Sequence, residues 1–440
     1  MSEIDSRLAN RILLGLVIGA VAGVVVLIIG AFAPLALQFA RDLATALLDP
    51  VGQVFLRMLF FVVIPLIFAS LVVGVVQLGR LGDLGPLAGK TFSLFALNMI
   101  IGVALGLLMM NLLEPGARLD TETQARLVAE YGSAAQGYVE TRSEQPSMSL
   151  GLLVEMFMPR NLFGAFVGNE RNSLGEVLPL ILFALLVGAA GTQLEPERRD
   201  RLRGAMETVS QLMTHIVHFA LRLAPYAVAA LIFSVVVKVG FDILIALGVF
   251  VLGCLGVMAL HLFGTFSVWL KVGTKRSPRE FFRLITPVLV TAFTTSSSNA
   301  TLPASIATAR ESLGVRPSVA GFVLPLGATM NMSGTALYEG CVVLFVAQVF
   351  GVDLTFAQQL TLLMLAVLSA VAVAGIPGGS LPLIAGLLAT FGVPPEGIGI
   401  VLGADRILDM ARTVVNVGAD LVTSVVIEDR TPPTEVRTPG

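Results

Sequence analysis

The C-terminal stretch ADRILDMARTVVNVGAD, residues 404–420, carries Asp405, Arg406, Asp409, Arg412, Asn416 and Asp420 between the apolar segments EGIGIVLG and LVTSVVI. On a helix, at about 100° per residue, Asp405, Asp409, Arg412, Asn416 and Asp420 fall within an arc of roughly 80°, with Arg406 just outside it. A charge costs about 2.5–3.5 kcal/mol at the centre of a membrane helix, so such a face is tolerated only toward an aqueous cavity or partner groups. One arrangement that meets this condition is an internal ladder of ion pairs, Asp409 with Arg406 and Arg412, clamping two helices. It leaves Asn416 and Asp420 without a purpose, which favours a ligand face. Arg412 offers a planar fork for a carboxylate, and Asp409 one turn away accepts hydrogen bonds from an ammonium group. Asn416 donates to a second carboxylate, and Asp420 with Asn416 and backbone carbonyls makes an oxygen site for a hard cation.

The surrounding chain is apolar enough to make this face costly. Of 440 residues 55% are hydrophobic and 13% charged, with a mean hydropathy of +0.88. That excess exceeds a soluble core and predicts an all-α polytopic membrane protein. A net charge of −2 gives no general attraction to nucleic acid. Cys254 and Cys341 lie in apolar stretches without metal or disulfide spacing and are expected as buried small hydrophobes. His215 and His218 share a helix face, but with no third ligand nearby a structural role is expected.

Apolar windows fall near 12–34, 44–78, 88–113, 150–193, 207–238 and 241–271, the fourth interrupted by MPRNLFGAFVGNERNSLGE. The N-terminus has no A-x-A-like cleavage site, so the first window is expected as a retained span. Residues 116–148 read as an exposed loop and 428–440 as a disordered tail. Arg7 and Arg11, the segment EPERRDRLRG and the segment KVGTKRSPREFFR all lie on one side if the N-terminus is cytoplasmic and six spans precede residue 275.

Beyond residue 275 the pattern changes. Residues 286–309 are apolar but punctured by a Ser/Thr cluster and a proline, and 361–392 by Gly-Ile-Pro-Gly-Gly. Each is followed by a span with polar residues, 318–350 and 397–427, and Thr-Leu-Pro (301–303) is answered by Ser-Leu-Pro (380–382). Two ordinary spans with flexible glycines would be the plain explanation. Paired interrupted segments suit re-entrant hairpins lining a polar cavity, a pattern that points to a transporter's binding site. The ligand face then complements a zwitterion with an extra carboxylate, an acidic amino acid, together with a monovalent cation.

Four motifs, TTSSSNATLP (294–303), LPLGATMNMSGTALYEG (324–340), AGIPGG (374–379) and DRILDMARTVVNVGAD (405–420), make the chain resemble the glutamate/aspartate transporter family, the dicarboxylate/amino acid:cation symporters. The resemblance covers nearly the whole chain. It implies eight transmembrane helices plus two re-entrant helical hairpins, a homotrimer in the cytoplasmic (inner) membrane with both termini cytoplasmic, and an elevator mechanism without a cofactor. Spans within 1–87 and 150–239 would form the scaffold; 88–149 (third span and exposed loop) and 240–427 would form the transport domain. The resemblance further implies that Ser297 and Ser298 hold the substrate main-chain carboxylate, Thr335 and Arg412 the side-chain carboxylate, and Asp409 the amino group. Thr413 and Asn416 would add contacts, and Ile376, Pro377 and Gly378 would close over the site. A sodium site would use Gly327 and Asn331 carbonyls with the Asn416 and Asp420 side chains.

The chain departs from the family at several places. Ser333 replaces the acid of Asn-Met-Asp-Gly-Thr, and Phe95, Asn98 and Met99 replace a tyrosine, threonine and serine, so a further sodium site is expected to be lost. Ala370 and Val373 stand where serine and threonine are usual before the second tip, a smaller change because that site relies on backbone carbonyls. Glu339 follows Tyr338 as in proton-carrying members, where it cycles between protonation states; a cavity-lining polar role is the alternative. Members carry an arginine near the substrate either before the hairpin serines or on the eighth span; the hairpin position is Ser296 here, and Arg406, one turn before Met410 on the eighth span, is expected to supply that charge. The leading expectation is an importer of aspartate or glutamate coupled to one or two sodium ions, protons, or both; the alternatives are a proton-coupled C4-dicarboxylate transporter and an anion channel or sensor. No nucleophile–base constellation appears outside this face, so an enzyme is not expected.

Overall fold

In a lipid core every backbone N–H and C=O must be satisfied within the protein, which for apolar segments of this length means helices. The computed structural model describes residues 3–77, 85–119, 160–163, 177–373 and 380–431, and among these residues the regular structure is entirely helical. Among the described residues five helices are long and apolar enough to cross a membrane: Leu14–Phe32, Leu87–Leu113, Asp242–Gly273, Pro317–Val349 and Pro395–Arg430. Leu14, Val17, Ile18, Val21 and Ile28 on the first are each more than half exposed, an apolar outer surface that suits lipid rather than water. The protein is a multi-pass membrane protein.

The N-terminal half comprises α1 (Glu3–Phe32), α2 (Pro34–Leu43), α3 (Asp49–Phe61), α4 (Val63–Gln77), α5 (Gly85–Leu113), α6 (Val177–Gly191) and α7 (Pro196–Val239). Pro34 and Pro196 occupy first helical positions, where a missing N–H costs nothing. The expected window 44–78 is resolved differently. A π-turn (Ala44–Leu48) joins α2 to α3, and the chain breaks at Val62 before α4. Of the window 150–193, residues 160–163 and 177–193 are described, and the second stretch holds the 15-residue helix α6. Helix α1 lies along α7, and Gly15 and Gly19 make this approach close. A Cβ on either would strike the carbonyl of Pro225 or Ala229. Small residues four apart serve this purpose where lipid supplies no hydrophobic drive between helices. Lys238 and Ser234 of α7 both reach Asp49, each at 2.5 Å.

The C-terminal half contains α8 (Asp242–Ala259), α9 (Phe266–Gly273), α10 (Pro278–Thr295), α11 (Ser298–Glu311), α12 (Pro317–Met330), α13 (Ser333–Val349), α14 (Phe356–Ala372), α15 (Leu381–Thr390) and α16 (Ile398–Arg430). Helices α10 and α11 form a hairpin whose turn holds Ser296 at φ 49°. This left-handed conformation costs a non-glycine residue about 1–2 kcal/mol. The second interrupted segment has flanking helices α14 and α15; its tip, 374–379, with Ile376, Pro377 and Gly378, lies outside the described residues. The Thr-Leu-Pro and Ser-Leu-Pro echo does not keep register. Pro303 lies inside α11, whereas Pro382 occupies the first turn of α15 after Ser380.

Helix α16 is the axis of this half, touching α8 to α13 as well as α1, α5 and α7. Its last turn is tied to both ends of the first hairpin. Arg276 donates to Asp429 at 2.9 and 3.1 Å and to the Leu313 carbonyl. Arg316 donates to Glu428 at 2.6 Å and to the Thr431 carbonyl at 2.7 Å. The Asp429 carboxylate raises the pKa of the Arg276 guanidinium above its ordinary value. Cys254 and Cys341 are both buried and free.

Candidate functional site

Because α16 is enclosed by other helices, its charged face meets protein rather than lipid. Asp405, Arg406, Asp409, Arg412, Thr413, Asn416 and Asp420 are all buried. Arg412 donates to Asp409 Oδ1 through Nε at 2.9 Å, with Nη2 at 2.8 Å, and reaches Asp405 Oδ1 through Nη1 at 3.4 Å. Its guanidinium lies 4.8 Å from the centre of the Tyr338 ring, and the Tyr338 hydroxyl donates to Asp405 Oδ1 at 2.9 Å. Arg406 Nη1 stands 3.6 Å from Asp409 Oδ2. The ion-pair ladder is therefore present, but as a cluster within α16 braced by Tyr338 of α13. Two carboxylates and two guanidiniums balance to zero, the condition for keeping four charges out of water. The forked Arg412 can exchange these carboxylates for a ligand's without losing its charge.

The next turns of α16 meet the interruption between α12 and α13. Asn331 and Met332 leave helical geometry, which frees the last carbonyls of α12 and the first amides of α13. Asn416 Oδ1 accepts from Gly334 N at 2.8 Å and Thr335 N at 3.3 Å, and Asn416 Nδ2 donates to Thr335 Oγ1 at 3.1 Å. An asparagine on one helix thus caps the start of another. Gly334 permits the approach, since a Cβ there would strike the Arg412 carbonyl oxygen. Asn331 Nδ2 donates to Asp420 Oδ1 at 3.0 Å. Gly327 packs against the same carboxylate, where a Cβ would collide with Asp420 Oδ1. A carboxylate beside the C-terminal end of a helix concentrates negative potential, the environment a hard monovalent cation requires. In this arrangement Asn416 Oδ1 is committed to the α13 amides, and Asp420 is the charged group beside Gly327 and Asn331.

Ser297 is the N-cap of α11, its hydroxyl accepting from Ala300 N at 3.2 Å, and Ser298 begins the helix. A helix N-terminus directs N–H groups at an anion, and α11 packs against α16. Thr413 is turned to its own backbone, donating to Asp409 O at 2.8 Å. Glu339 is fully buried beside Ser369, and neither of its carboxylate oxygens has a hydrogen-bond partner among the described residues. Phe95, Asn98, Met99 and Ser333 are all buried, and Asn98 Nδ2 donates to Thr423 Oγ1 at 3.2 Å. Tyr338 and Asp405 were not among the predicted ligands. Asp405 was legible as a member of the face; the Tyr338 contact depends on how α13 is rotated against α16.

A multi-pass protein, helical among the described residues, with a buried, charge-balanced face at a helix break has the features of a membrane transporter. The chain matches the sodium:dicarboxylate symporter family over residues 8–430 and belongs to that family. It is 33% identical over 427 residues to the proton/sodium-glutamate symport protein of Bacillus subtilis (strain 168), covering 97% of this chain and 93% of that protein. It is 30% identical over 432 residues to the proton/glutamate-aspartate symporter of Escherichia coli (strain K12), covering 97% and 93%. A C4-dicarboxylate transport protein of Bacillus subtilis is 26% identical over 383 residues, covering 86% of each chain.

Proposed function

We propose that this protein is a secondary active symporter that imports aspartate or glutamate with Na+, and with H+ carried on Glu339. The observation that carries the reading is the Asp409–Arg412 pair, about one to three turns along the same buried helix from the Asn416 and Asp420 contacts. A substrate side-chain carboxylate takes the Arg412 fork from Asp409 and Asp405, with Thr335 beside it. The substrate ammonium takes Asp409, which no longer needs Arg412 as its whole counter-charge. The main-chain carboxylate meets Ser297 and Ser298 at the α11 N-terminus, with Thr413 and Asn416 adding contacts, and Ile376 and Gly378 close the site. Asp420 with Gly327, Asn331 and Asn416 binds Na+, and the site requiring an acid at Ser333 is lost.

The proposed architecture is a homotrimer in the cytoplasmic membrane with both termini cytoplasmic, eight spans and two re-entrant hairpins. Residues 1–87 and 150–239 act as scaffold, while 88–149 and 240–427 carry the site across as an elevator. The names of the glutamate symporters support the amino-acid substrate. Those of the C4-dicarboxylate proteins keep a proton-coupled dicarboxylate carrier as the second reading. Uptake of radiolabelled aspartate into proteoliposomes under separate sodium and pH gradients tests the proposal. Concentrative uptake driven by inward sodium is expected. Uptake indifferent to sodium removes the Asp420 site, and uptake of succinate without aspartate favours the second reading.

A further inference from the structure

Asp409 divides its two oxygens between two arginines. Arg412 takes Oδ1 at 2.8–2.9 Å, within hydrogen-bond reach. Arg406 stands 3.6 Å from Oδ2, an ion pair too long for a direct hydrogen bond. Arg406 is itself nearly buried, and its Nε has no hydrogen-bond partner among the described residues. A buried, charged donor without an acceptor is costly. Arg406 thus offers Asp409 a second, loosely engaged cation that Arg412 does not need.

This matters when a ligand arrives. A ligand carboxylate that draws Arg412 away leaves Asp409 with less compensation, and breaking a buried pair leaves an uncompensated charge. An amino acid repairs this with its own ammonium. A dicarboxylate lacking an amino group cannot, and the site can then accept it only if another cation covers Asp409. At 3.6 Å the Arg406 contact is long enough for an ammonium to displace and close enough to tighten when none arrives.

We propose that Arg406 is the specificity-determining residue that lets this one site take four-carbon dicarboxylates as well as acidic amino acids, by serving as the stand-in counter-ion for Asp409. The proposal rests on Asp409 and Arg412 being the substrate site, and its test separates the two. Uptake of radiolabelled aspartate by the full-length protein in proteoliposomes is measured with unlabelled succinate as competitor, for wild type, Arg406→Ala and Arg406→Lys. Succinate is expected to inhibit the wild type. Arg406→Ala should raise the ratio of succinate inhibition constant to aspartate KM by roughly tenfold or more, since one factor of ten corresponds to about 1.4 kcal/mol. Arg406→Lys, which keeps the charge, should hold the ratio within about threefold of wild type. Wild-type uptake insensitive to succinate overturns the proposal, as does an Arg406→Ala variant that shifts both constants equally or leaves the ratio unchanged. Absence of aspartate uptake in the wild type overturns the substrate reading itself. Should Arg406→Ala not elute as a folded protein on size exclusion, the neutral Arg406→Gln takes its place with the same expected shift.

Discussion

Asn331 Nδ2 donates to Asp420 Oδ1 across 3.0 Å, joining the interruption between α12 and α13 to the middle of α16. The carboxylate is held beside Gly327, a position that a side chain would occupy. A carboxylate that accepts from a neutral amide and lies beside helix-end carbonyls favours a cation that balances this negative potential. Asp420→Asn is therefore expected to raise the sodium concentration for half-maximal aspartate uptake at least about tenfold, because a charged cation ligand becomes neutral. Gly327→Ala should move it in the same direction while keeping the carboxylate. Sodium titration of uptake in proteoliposomes checks both, and an unchanged sodium requirement in Asp420→Asn places the cation elsewhere.

Arg412 makes its contacts through three guanidinium nitrogens and lies against the Tyr338 ring. Lysine supplies one point charge and no fork. Arg412→Lys should lower aspartate uptake by about a hundredfold, the cost of roughly 2.7 kcal/mol when two charge-assisted contacts are lost. Arg412→Ala should do no better. Initial uptake rates across aspartate concentrations, with reconstituted protein quantified, decide it; a lysine variant with native KM argues against fork recognition.

Tyr338→Phe keeps the ring beside Arg412 and removes only the hydroxyl that reaches Asp405 at 2.9 Å. Losing one hydrogen bond to a buried carboxylate costs about 1.5–3 kcal/mol. The variant should bind aspartate roughly tenfold or more weakly, while Tyr338→Ala, which also removes the ring, should be weaker still. Isothermal titration of the purified variants distinguishes these outcomes.

Glu339 sits fully buried on α13, facing Ser369 of α14. If it carries the proton, Glu339→Gln should make aspartate uptake indifferent to an imposed pH gradient while sodium still drives it. Uptake measured at fixed sodium with and without the gradient gives the answer. A gradient response equal to that of the wild type assigns proton coupling to another group.

Gly19 faces the Ala229 carbonyl across the α1–α7 contact. Gly19→Val forces the helices apart, and overpacking of this kind costs about 1–3 kcal/mol. A lowered Tm in detergent is expected, with a smaller change for Gly89→Val, where an added Cβ meets nothing within 4 Å.

How much of this was readable beforehand differs from residue to residue. Spacing alone placed Asp405, Asp409, Arg412, Asn416 and Asp420 on one face, because a helix repeats at a fixed angle whatever surrounds it. The apolar excess dictated a membrane protein, and the four motifs pointed to the symporter family to which the chain belongs. The first hairpin turn could be located from its Ser/Thr cluster, since a breaker amid apolar residues interrupts local hydrogen bonding. The break at Asn331–Met332 is marked locally by Asn331 and the Ser333–Gly334 pair, but local propensity does not fix its geometry. It is stabilised by Asn416 and Asp420 from a helix more than 80 residues away. The same holds for Tyr338 on Asp405, for Arg406 on Asp409 and for the arginines that fasten the end of α16. A one-dimensional pattern states which side chains share a face. Which partner fills each buried valence depends on helix rotation and close approach at glycines, and only the packed tertiary structure decides those.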